Sequence, residues 1–273
     1  MVVVPLAVCA TPIGNLGDVT LRVLDELREA DLVLCEDTRR TRILLDRHGV
    51  AAQLASYHRH NEAARTGEAM LRLQRGERVA LVSDAGLPGV NDPGARLIAA
   101  AVEGGLPVTV LPGPSAVETA LVLSGLVGER YQFVGYLPRR ASERLALAQE
   151  LARWPHPVVA FESPRRLPAS LTVLAEAMPE RPGAICRELT KLFEEVVRGT
   201  LAELAGCFSE PPRGEITIVL GSAPGVGETV EGAEEALAAV AELVAAGFAR
   251  RQAVELVARL TGASKNTLYR SSL

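Results

Sequence analysis

The chain has 273 residues, and its 29 lysines and arginines against 33 aspartates and glutamates give a net charge of −4. This balance argues against a surface built for nonspecific nucleic-acid binding. Hydrophobic residues make up 48% of the chain, but the longest apolar runs have the length of strands, so no membrane span is predicted. The length fits about two domains, each large enough for its own core.

The cysteines and histidines predict neither disulfides nor a metal site. The four cysteines are scattered singly, at Cys9, Cys35, Cys186 and Cys207. This spacing is typical of a protein in a reducing cytoplasm. His58 and His60 lie close together but lack a third ligand at a recognisable spacing, so we expect no metal.

The first part of the chain alternates apolar strands with helical patterns. Strands are predicted at residues 2–10, 32–35, 79–82 and 108–111. Helices are predicted at 19–30, 38–48, 61–75 and 93–103. This alternation indicates a mainly parallel sheet covered by helices.

After residue 112 the pattern starts again and predicts a second, mixed α/β sheet. A helix is predicted at 115–124, followed by strands at 132–136, 158–161, 184–187, 194–198 and 215–220. Thr200 followed by Glu203 is typical of a capping box, which would begin a helix between the last two strands.

Beyond Gly221 a short flexible linker leads to three predicted helices at 233–246, 250–261 and 264–270. The last two resemble a helix-turn-helix whose second helix begins at Ser264. Such a pair can contact nucleic acid or serve as a packing or dimer element, and the sequence leaves both open. We therefore expect an N-terminal α/β domain at 1–112, a C-terminal α/β domain at 113–222 and a helical domain at 231–273.

The most informative segment is the loop SDAGLPGVNDPG at residues 83–94, which follows a buried strand. Ligands bind at the carboxyl ends of strands in open α/β sheets. Asp84-Ala85-Gly86 would let a ligand approach main-chain amides and a carboxylate together. Asp92 and Pro93 are predicted instead to be the N-cap and first residue of the next helix.

Familiar nucleotide and hydrolase motifs are missing from the sequence. No phosphate-loop lysine motif occurs, and the first loop, TPIGNLGD at 11–18, does not match the dinucleotide fingerprint. There is likewise no serine elbow. A glycine loop after the first strand still suggests a cofactor of another kind.

Eight motifs in order carry a resemblance to a known family: TPIGNLGD, CEDTRRT, HRHNE, SDAGLPGVNDPG, PGPSA, FESPRR, RELTK and RGEITIVL. Their succession resembles the bacterial ribosomal RNA small subunit methyltransferase I family of the tetrapyrrole methylase superfamily. The resemblance covers residues 6 to 221, and the tail resembles the small helical domain often appended in that family.

The resemblance implies a two-domain class III methyltransferase fold with S-adenosylmethionine in the cleft between the domains, and a homodimer in the cytoplasm. The implied reaction is methylation of the ribose 2′-hydroxyl of a cytidine in small-subunit rRNA near the decoding centre. Two other functions stay open: methylation of a tetrapyrrole or other small molecule, and a noncatalytic RNA-binding or ribosome-assembly module.

Carried over by motif, the cofactor contacts fall in the loops that follow predicted strands. They are Pro12, Asp84, Ala85, Gly86, Leu87, Ser115 and Ala116, with Leu189 and Gly214 closing the other side. These positions agree with the independent argument from the strand ends.

Methyl transfer to a ribose hydroxyl needs a group that accepts the proton, because that hydroxyl is a very weak acid. Glu36 and Asp37 follow the second predicted strand and are candidates for this role. Lys191 is an alternative, provided that burial or nearby arginines lower its pKa. Asp37 or Thr38 could instead cap the helix that begins there.

The candidate RNA contacts have structural alternatives as well. They are Arg39, His60, Asn61, Glu62, Arg165 and Arg166. Arg39 could bind a phosphate or pair with Glu36, and Asn61 could cap its helix. Arg165 and Arg166 could face the RNA or solvent.

Overall fold

The computed structural model describes residues 6–223, 230–261 and 265–272. The chain forms two compact units. The first contains the described residues up to Leu123 together with Cys186–Glu195, and the second contains Ser124–Ile185 and the described residues from Val196 onward. The division at residues 1–112, 113–222 and 231–273 stays a prediction.

The first unit is built on a five-stranded parallel sheet with strand order β3-β2-β4-β1-β5. Its strands are β1 (Leu6–Cys9), β2 (Leu32–Cys35), β3 (Leu54–Ser56), β4 (Val79–Val82) and β5 (Val108–Leu111). Its helices are α1 (Leu21–Glu29), α2 (Thr38–Arg47), α3 (Glu62–Gln74), α4 (Ala95–Glu103) and α5 (Ala116–Ser124). The predicted parallel sheet with covering helices is confirmed.

The central strands are apolar throughout because helices cover both faces of the sheet. Every residue of β1, β2 and β4 is buried. In β1, Ala7 and Cys9 join one core cluster, and Leu6 and Val8 join another. This alternation follows from the two-residue period of a strand.

The strand order defines a crevice at one edge of this sheet. From β1 the chain crosses over β4 to reach β2, whereas from β4 it crosses over β1 to reach β5. The connections that leave β1 and β4 therefore run in opposite directions. Such a topological switch point is where open α/β sheets bind ligands, outside the carboxyl ends of the strands.

The second unit contains a mixed sheet, as predicted, with strand order β6-β7-β10-β8-β9. Strand β7 pairs in parallel with β6 and antiparallel with β10. The strands are β6 (Gln132–Tyr136), β7 (Val158–Glu162), β8 (Pro182–Arg187), β9 (Glu195–Thr200) and β10 (Ile216–Leu220). The helices are α6 (Ala141–Ala152), α7 (Leu167–Ala177) and α8 (Leu201–Cys207). At the start of α8 the predicted capping box is confirmed, since Thr200 and Glu203 each bond the other's main chain.

Arg181 is buried in this unit, with only 1% of its surface exposed. Its guanidinium donates to the main-chain carbonyls of Leu151 at 2.6 Å, Gly221 at 2.8 Å and His156 at 2.9 Å. Burial lowers the pKa of Arg181. One side chain thus bonds three carbonyls from three chain segments, of which the Leu151 carbonyl also accepts from the Trp154 N–H at 3.0 Å.

The C-terminal segment consists of α9 (Val230–Ala245), α10 (Arg250–Thr261) and α11 (Lys265–Ser271). A separate apolar cluster joins them, including Val240, Val254, Val257 and Leu268. Three helices are confirmed here, while the predicted start at Ser264 lies outside the described residues. Across the ranges that the structure describes, no helix has the length and apolar character needed to cross a membrane.

Candidate active site

The loops that follow β1, β4 and β5 meet at the carboxyl edge of the first sheet. Thr11 and Gly86 exchange two main-chain hydrogen bonds, of 2.9 and 3.0 Å. A Cβ atom added to Gly86 would lie 3.8 Å from both the Cγ2 atom of Ile13 and the carbonyl oxygen of Pro114. The three loops therefore lie side by side at the switch point.

Hydrogen bonds within the 83–94 loop hold its first turn in place. The Ser83 hydroxyl contacts the carbonyl oxygens of Ala85 at 3.2 Å and Gly86 at 3.1 Å. The Thr11 hydroxyl donates to the Ser83 carbonyl at 3.0 Å. Ala85 is exposed and Leu87 half-buried, so the turn is both fixed and reachable from solvent.

Asp84 ties this loop to the end of the neighbouring strand. Its Oδ1 atom accepts a hydrogen bond from the main-chain N–H of Asp37 at 3.0 Å. Its Oδ2 atom lies 3.5 Å from the guanidinium of Arg40. The carboxylate thus joins the loop after β4 to the start of α2.

Asp92 does not cap α4, so that prediction is wrong. The helix begins at Ala95 and its N-cap is Gly94, at φ = 134°, with no side-chain capping bond. A Cβ atom on Gly94 would lie 2.9 Å from Leu81. Only glycine fits this backbone and this space, and the helix therefore starts at Ala95, two residues after the predicted start at Pro93.

Asp92 instead joins a group of carboxylates at the strand ends. Its pKa rises to about 6, first because the group is partly buried and then because of the negative charges of Glu36 and Asp84. On one side of Asp92, Asn91 adopts the left-handed φ of 61° and its carbonyl accepts a 3.0 Å hydrogen bond from Arg59. The sequence favoured a capping role for Asp92 over a role in the site, because an Asp-Pro pair is so common at helix starts.

Glu36 lies in the same group. Burial raises its pKa, and the charge of Asp84 adds to the rise, while Arg59, Arg40 and His58 oppose it. A half-buried carboxylate with a raised pKa is a better proton acceptor near neutral pH than a fully solvated one.

Asp37 has the opposite environment. It is the N-cap of α2, accepting from the main-chain N–H of Arg39 at 2.9 Å. Its carboxylate also binds the Arg39 guanidinium at 2.7 and 3.1 Å, and these bonds lower its pKa to about 2. The capping alternative is confirmed for Asp37, and Arg39 pairs with Asp37 rather than with Glu36.

The HRHNE segment is organised by Asn61. Its side chain accepts a hydrogen bond from the His58 N–H at 2.8 Å and donates to the Ser56 carbonyl at 3.1 Å. Asn61 occupies the N-cap position of α3 without a side-chain bond to the helix. His60 is exposed, and Glu62 is the first residue of the helix.

Lys191 and Leu189 belong to the first unit, although they follow β8 in the chain. The Nζ atom of Lys191 lies 2.8 Å from the carboxylate of Glu188. Leu189 is buried. In the loop after β5, the Ser115 hydroxyl bonds to Glu118, and Ala116 begins α5.

Of the predicted site residues, Arg165, Arg166 and Gly214 belong to the second unit, whereas Pro12 is buried in the first. Arg166 pairs with Glu162 at 2.5 Å and donates to the Leu137 carbonyl at 3.0 Å. The Glu162 side chain is fully buried and also accepts from Ser170 at 2.6 Å. Arg166 therefore stabilises the turn, whereas Arg165 is exposed.

Two further observations concern the backbone at Gly214 and the possibility of a metal site. Gly214 precedes β10 with a left-handed φ of 95°. Among the residues whose placement is described, no set of three His, Cys, Asp or Glu side chains is arranged to hold a metal ion.

The chain is similar to known proteins over most of its length. Residues 5–205 match the family model of the Tetrapyrrole (Corrin/Porphyrin) Methylases. The Ribosomal RNA small subunit methyltransferase I of Mesorhizobium japonicum is 43% identical over 271 residues, covering 98% of this chain and 91% of the relative. The protein of the same name from Thermotoga maritima is 42% identical over 216 residues, covering 79% of this chain and 97% of the relative.

Solved structures with low sequence identity share the fold. The methyltransferase CobJ superposes with a TM-score of 0.63 at 20% identity, over 83% of this chain and 97% of CobJ. The uroporphyrin-III C-methyltransferase of Thermus thermophilus, solved with S-adenyl homocysteine, gives a TM-score of 0.57 at 19% identity, over 79% and 96% of the two chains. The chain therefore belongs to the tetrapyrrole methylase family and, within it, to the group of the ribosomal RNA small subunit methyltransferases I.

Proposed function

We propose that this protein transfers a methyl group from S-adenosylmethionine to the ribose 2′-hydroxyl of a cytidine in small-subunit rRNA, near the decoding centre. The observation that carries the proposal is its similarity to relatives named for small-subunit rRNA methylation, at 43% identity over 98% of the chain. Proposals for the individual residues rest on the geometry of the strand ends.

We assign the cofactor to the loops after β1, β4 and β5 in the first unit. The residues proposed to contact it are Pro12, Asp84, Ala85, Gly86, Leu87, Ser115, Ala116 and Leu189, all of which belong to the first unit. The space in front of Gly86 supports this assignment, because the nearest atoms to a Cβ placed there are 3.8 Å away. The left-handed φ of Gly86 also turns the main chain sharply at this point, which allows close approach to a ligand.

When bound, S-adenosylmethionine supplies a methyl group on a positively charged sulfur, so the protein need not activate the electrophile. The residues must align the ribose oxygen with the methyl carbon, an effect that can supply several kcal/mol. They must also receive the hydroxyl proton.

Glu36 is the proton acceptor that this arrangement favours among the three candidates. Its raised pKa suits a base, while Asp37, with a pKa of about 2, is committed to capping α2 and to Arg39. Lys191 is paired with Glu188, which stabilises its charged form. In the proposed reaction the ribose oxygen bonds to the methyl carbon, the carbon–sulfur bond breaks and the proton passes to Glu36.

For the RNA we propose contacts with Arg165, His60 and Arg39. Arg165 and His60 are exposed, and the Arg39 side chain is 88% exposed even though it pairs with Asp37. Arg166, Asn61 and Glu62 are better explained as residues that hold the neighbouring turns. A phosphate contact is expected to make RNA affinity depend on salt.

We also propose a homodimer that acts in the cytoplasm, where ribosomes are. The homodimer is supported by large apolar side chains that are exposed to solvent, among them Val122 at 68% and Phe193 at 69% exposure. Such exposed apolar side chains are typical of surfaces that bind a partner. A monomer in equilibrium sedimentation at micromolar concentration would contradict the homodimer.

The first experiment is transfer of radiolabelled methyl from S-adenosylmethionine to small ribosomal subunits that lack the modification, followed by nuclease mapping of the labelled nucleotide. We expect label on the ribose 2′-oxygen of one cytidine. Label on a base would refute the proposed chemistry. Absence of label, with cofactor binding retained, would favour a tetrapyrrole or other small molecule as substrate.

A matched pair of variants tests the assignment of the base. Glu36→Gln removes the proton acceptor and should lower kcat by about 10²-fold or more. Asp37→Asn keeps a good N-cap residue and should leave kcat within a few-fold of the wild-type value. Equal kcat values for Glu36→Gln and the wild type would exclude Glu36 as the base.

A further inference from the structure

The turn that follows β8 has a strained main chain. Glu188 and Thr190 have φ angles of 51° and 63°, in the left-handed region that non-glycine residues seldom adopt. For Thr190 the strain is greater, because its side chain branches at Cβ. Strain of this kind persists only where the surroundings impose it, and it is concentrated at functional sites.

Hydrogen bonds within the turn impose this conformation. The main-chain N–H of Thr190 donates to the Glu194 carboxylate at 2.7 Å. The Lys191 N–H donates to the Glu188 carbonyl at 3.0 Å, and its Nζ atom binds the Glu188 side chain at 2.8 Å. The turn is therefore closed on itself by both main-chain and side-chain bonds.

The same turn interlocks with the loop after β1. The Thr190 hydroxyl accepts a 3.0 Å hydrogen bond from the main-chain N–H of Asn15. A Cβ atom on Gly14 would lie 2.6 Å from Cγ of Lys191, 2.7 Å from the Thr190 hydroxyl and 2.8 Å from the Leu189 carbonyl. No side chain fits at position 14 unless one of the two loops moves.

Gly14 is required for space and not for its backbone angle. Its φ lies outside the left-handed region, so another residue could adopt this conformation. The contact also joins two segments with proposed cofactor residues, since Pro12 lies two positions before Gly14 and Leu189 is next to Thr190. Both segments belong to the first unit.

We propose that Thr190 and Gly14 form a latch that positions the two loops around S-adenosylmethionine, with Thr190 as a positioning residue that does not itself react. This inference rests on the proposed function and deepens it. The strained turn at residues 188–194 is held in place by its own hydrogen bonds. The Asn15–Thr190 hydrogen bond then fixes the distance between this turn and the first loop.

The test is the KM for S-adenosylmethionine together with its Kd from calorimetry, measured on the full chain. Thr190→Val keeps the branched shape but removes the acceptor, and we expect both constants to rise about three- to tenfold, the range that one net hydrogen bond supplies. Thr190→Ser keeps the acceptor and should stay within about twofold of wild type. Gly14→Ala should raise both constants by more than about tenfold, because a fixed carbonyl blocks its Cβ.

Two controls distinguish a role of Thr190 in positioning the loops from a general loss of folded protein. Leu192, on the same turn, is 90% exposed, so Leu192→Ala should leave the KM for S-adenosylmethionine unchanged. The KM for RNA should not change in Thr190→Val. A mere loss of folded enzyme lowers kcat and leaves both KM values unchanged.

Unchanged KM and Kd for S-adenosylmethionine in Thr190→Val would overturn the latch. A wild-type protein that binds S-adenosylmethionine but methylates no rRNA would instead contradict the proposed function, and the calorimetric Kd values would still decide on the latch. A wild-type protein that binds no S-adenosylmethionine would overturn both proposals.

Discussion

Replacing Asp92 with asparagine should stabilise the protein at neutral pH. The pKa of Asp92 rises from its ordinary value of 3.8 to about 6, because of burial and of the charges of Glu36 and Asp84. The ionised carboxylate therefore opposes folding. Asparagine has the same shape and no charge, so it removes this repulsion and retains a group that can bond with Ser83.

The size of the effect follows from the shift. At about 1.36 kcal/mol per pKa unit, a rise of roughly two units corresponds to about 3 kcal/mol. The carboxyl group keeps some contact with water, which screens the repulsion, so we expect Asp92→Asn to raise the free energy of unfolding by about 1–2 kcal/mol at pH 7.5.

The destabilisation caused by ionised Asp92 should increase with pH. Below the ordinary pKa of 3.8 the carboxyl is protonated in both folded and unfolded chains, and the penalty is absent. It grows between pH 3.8 and about 6 and is fully present above that range. The difference between Asp92→Asn and wild type should therefore approach zero near pH 4.

The assay is urea denaturation of both proteins at pH 4 and pH 7.5. Asp37→Asn is a control of opposite sign, because the pKa of Asp37 is lowered to about 2, so its ionised form favours folding. That variant should be less stable than wild type at pH 7.5. A loss of stability in Asp92→Asn at pH 7.5, or an equal gain at both pH values, would refute the reasoning.

Two predictions concern the second unit. Arg181→Met should lower the free energy of unfolding by about 3–5 kcal/mol, because it removes three buried hydrogen bonds and leaves the Gly221 and His156 carbonyls without their donor. A loss under about 1 kcal/mol in urea denaturation would contradict this. Thr200→Ala removes the confirmed cap of α8 and should cost about 1 kcal/mol, measured the same way, while Thr200→Ser should restore most of it. Equal stability of the alanine and serine variants would show that the cap contributes nothing.

The parallel sheet was predictable because its three central strands, β1, β2 and β4, are buried on both faces. Runs such as LAVC and VALV contain no polar residue and have the length of strands. Strand β3 was not predicted, and its three residues LAS are only half-buried. A strand so short leaves no periodic pattern from which to predict it.

Helices α6 and α7 were not predicted, for a different reason. Helix α7 has the sequence LPASLTVLAEA, which is apolar on nearly every side and carries a proline in its first turn. Helix α6 buries Arg144 beside Ala148 and Leu151, so its inner face is not marked by apolar residues alone. Neither shows the one-sided period that identifies a surface helix.

The loops that form the candidate site could be predicted from the sequence, but the charged side chains that meet there could not. The strand-end position of Asp84 could be inferred from the apolar run before it. Local preference could not show that Gly94 starts α4 and leaves Asp92 beside Glu36, because that depends on the space next to Leu81. Nor could it show that Arg166 turns toward a buried glutamate while Arg165 stays in water.

The return of residues 186–195 to the first unit has a consequence for synthesis on the ribosome. The nascent chain can form β1 to β5 early, but the turn that binds the first loop is made more than sixty residues after Leu123. Contacts between segments so distant in sequence form late, since a long loop must close first. The contact between Gly14 and residues 189–191 therefore forms only after residues 124–185 of the second unit have been synthesised, so a fragment ending at Leu123 would contain the sheet but not the latch.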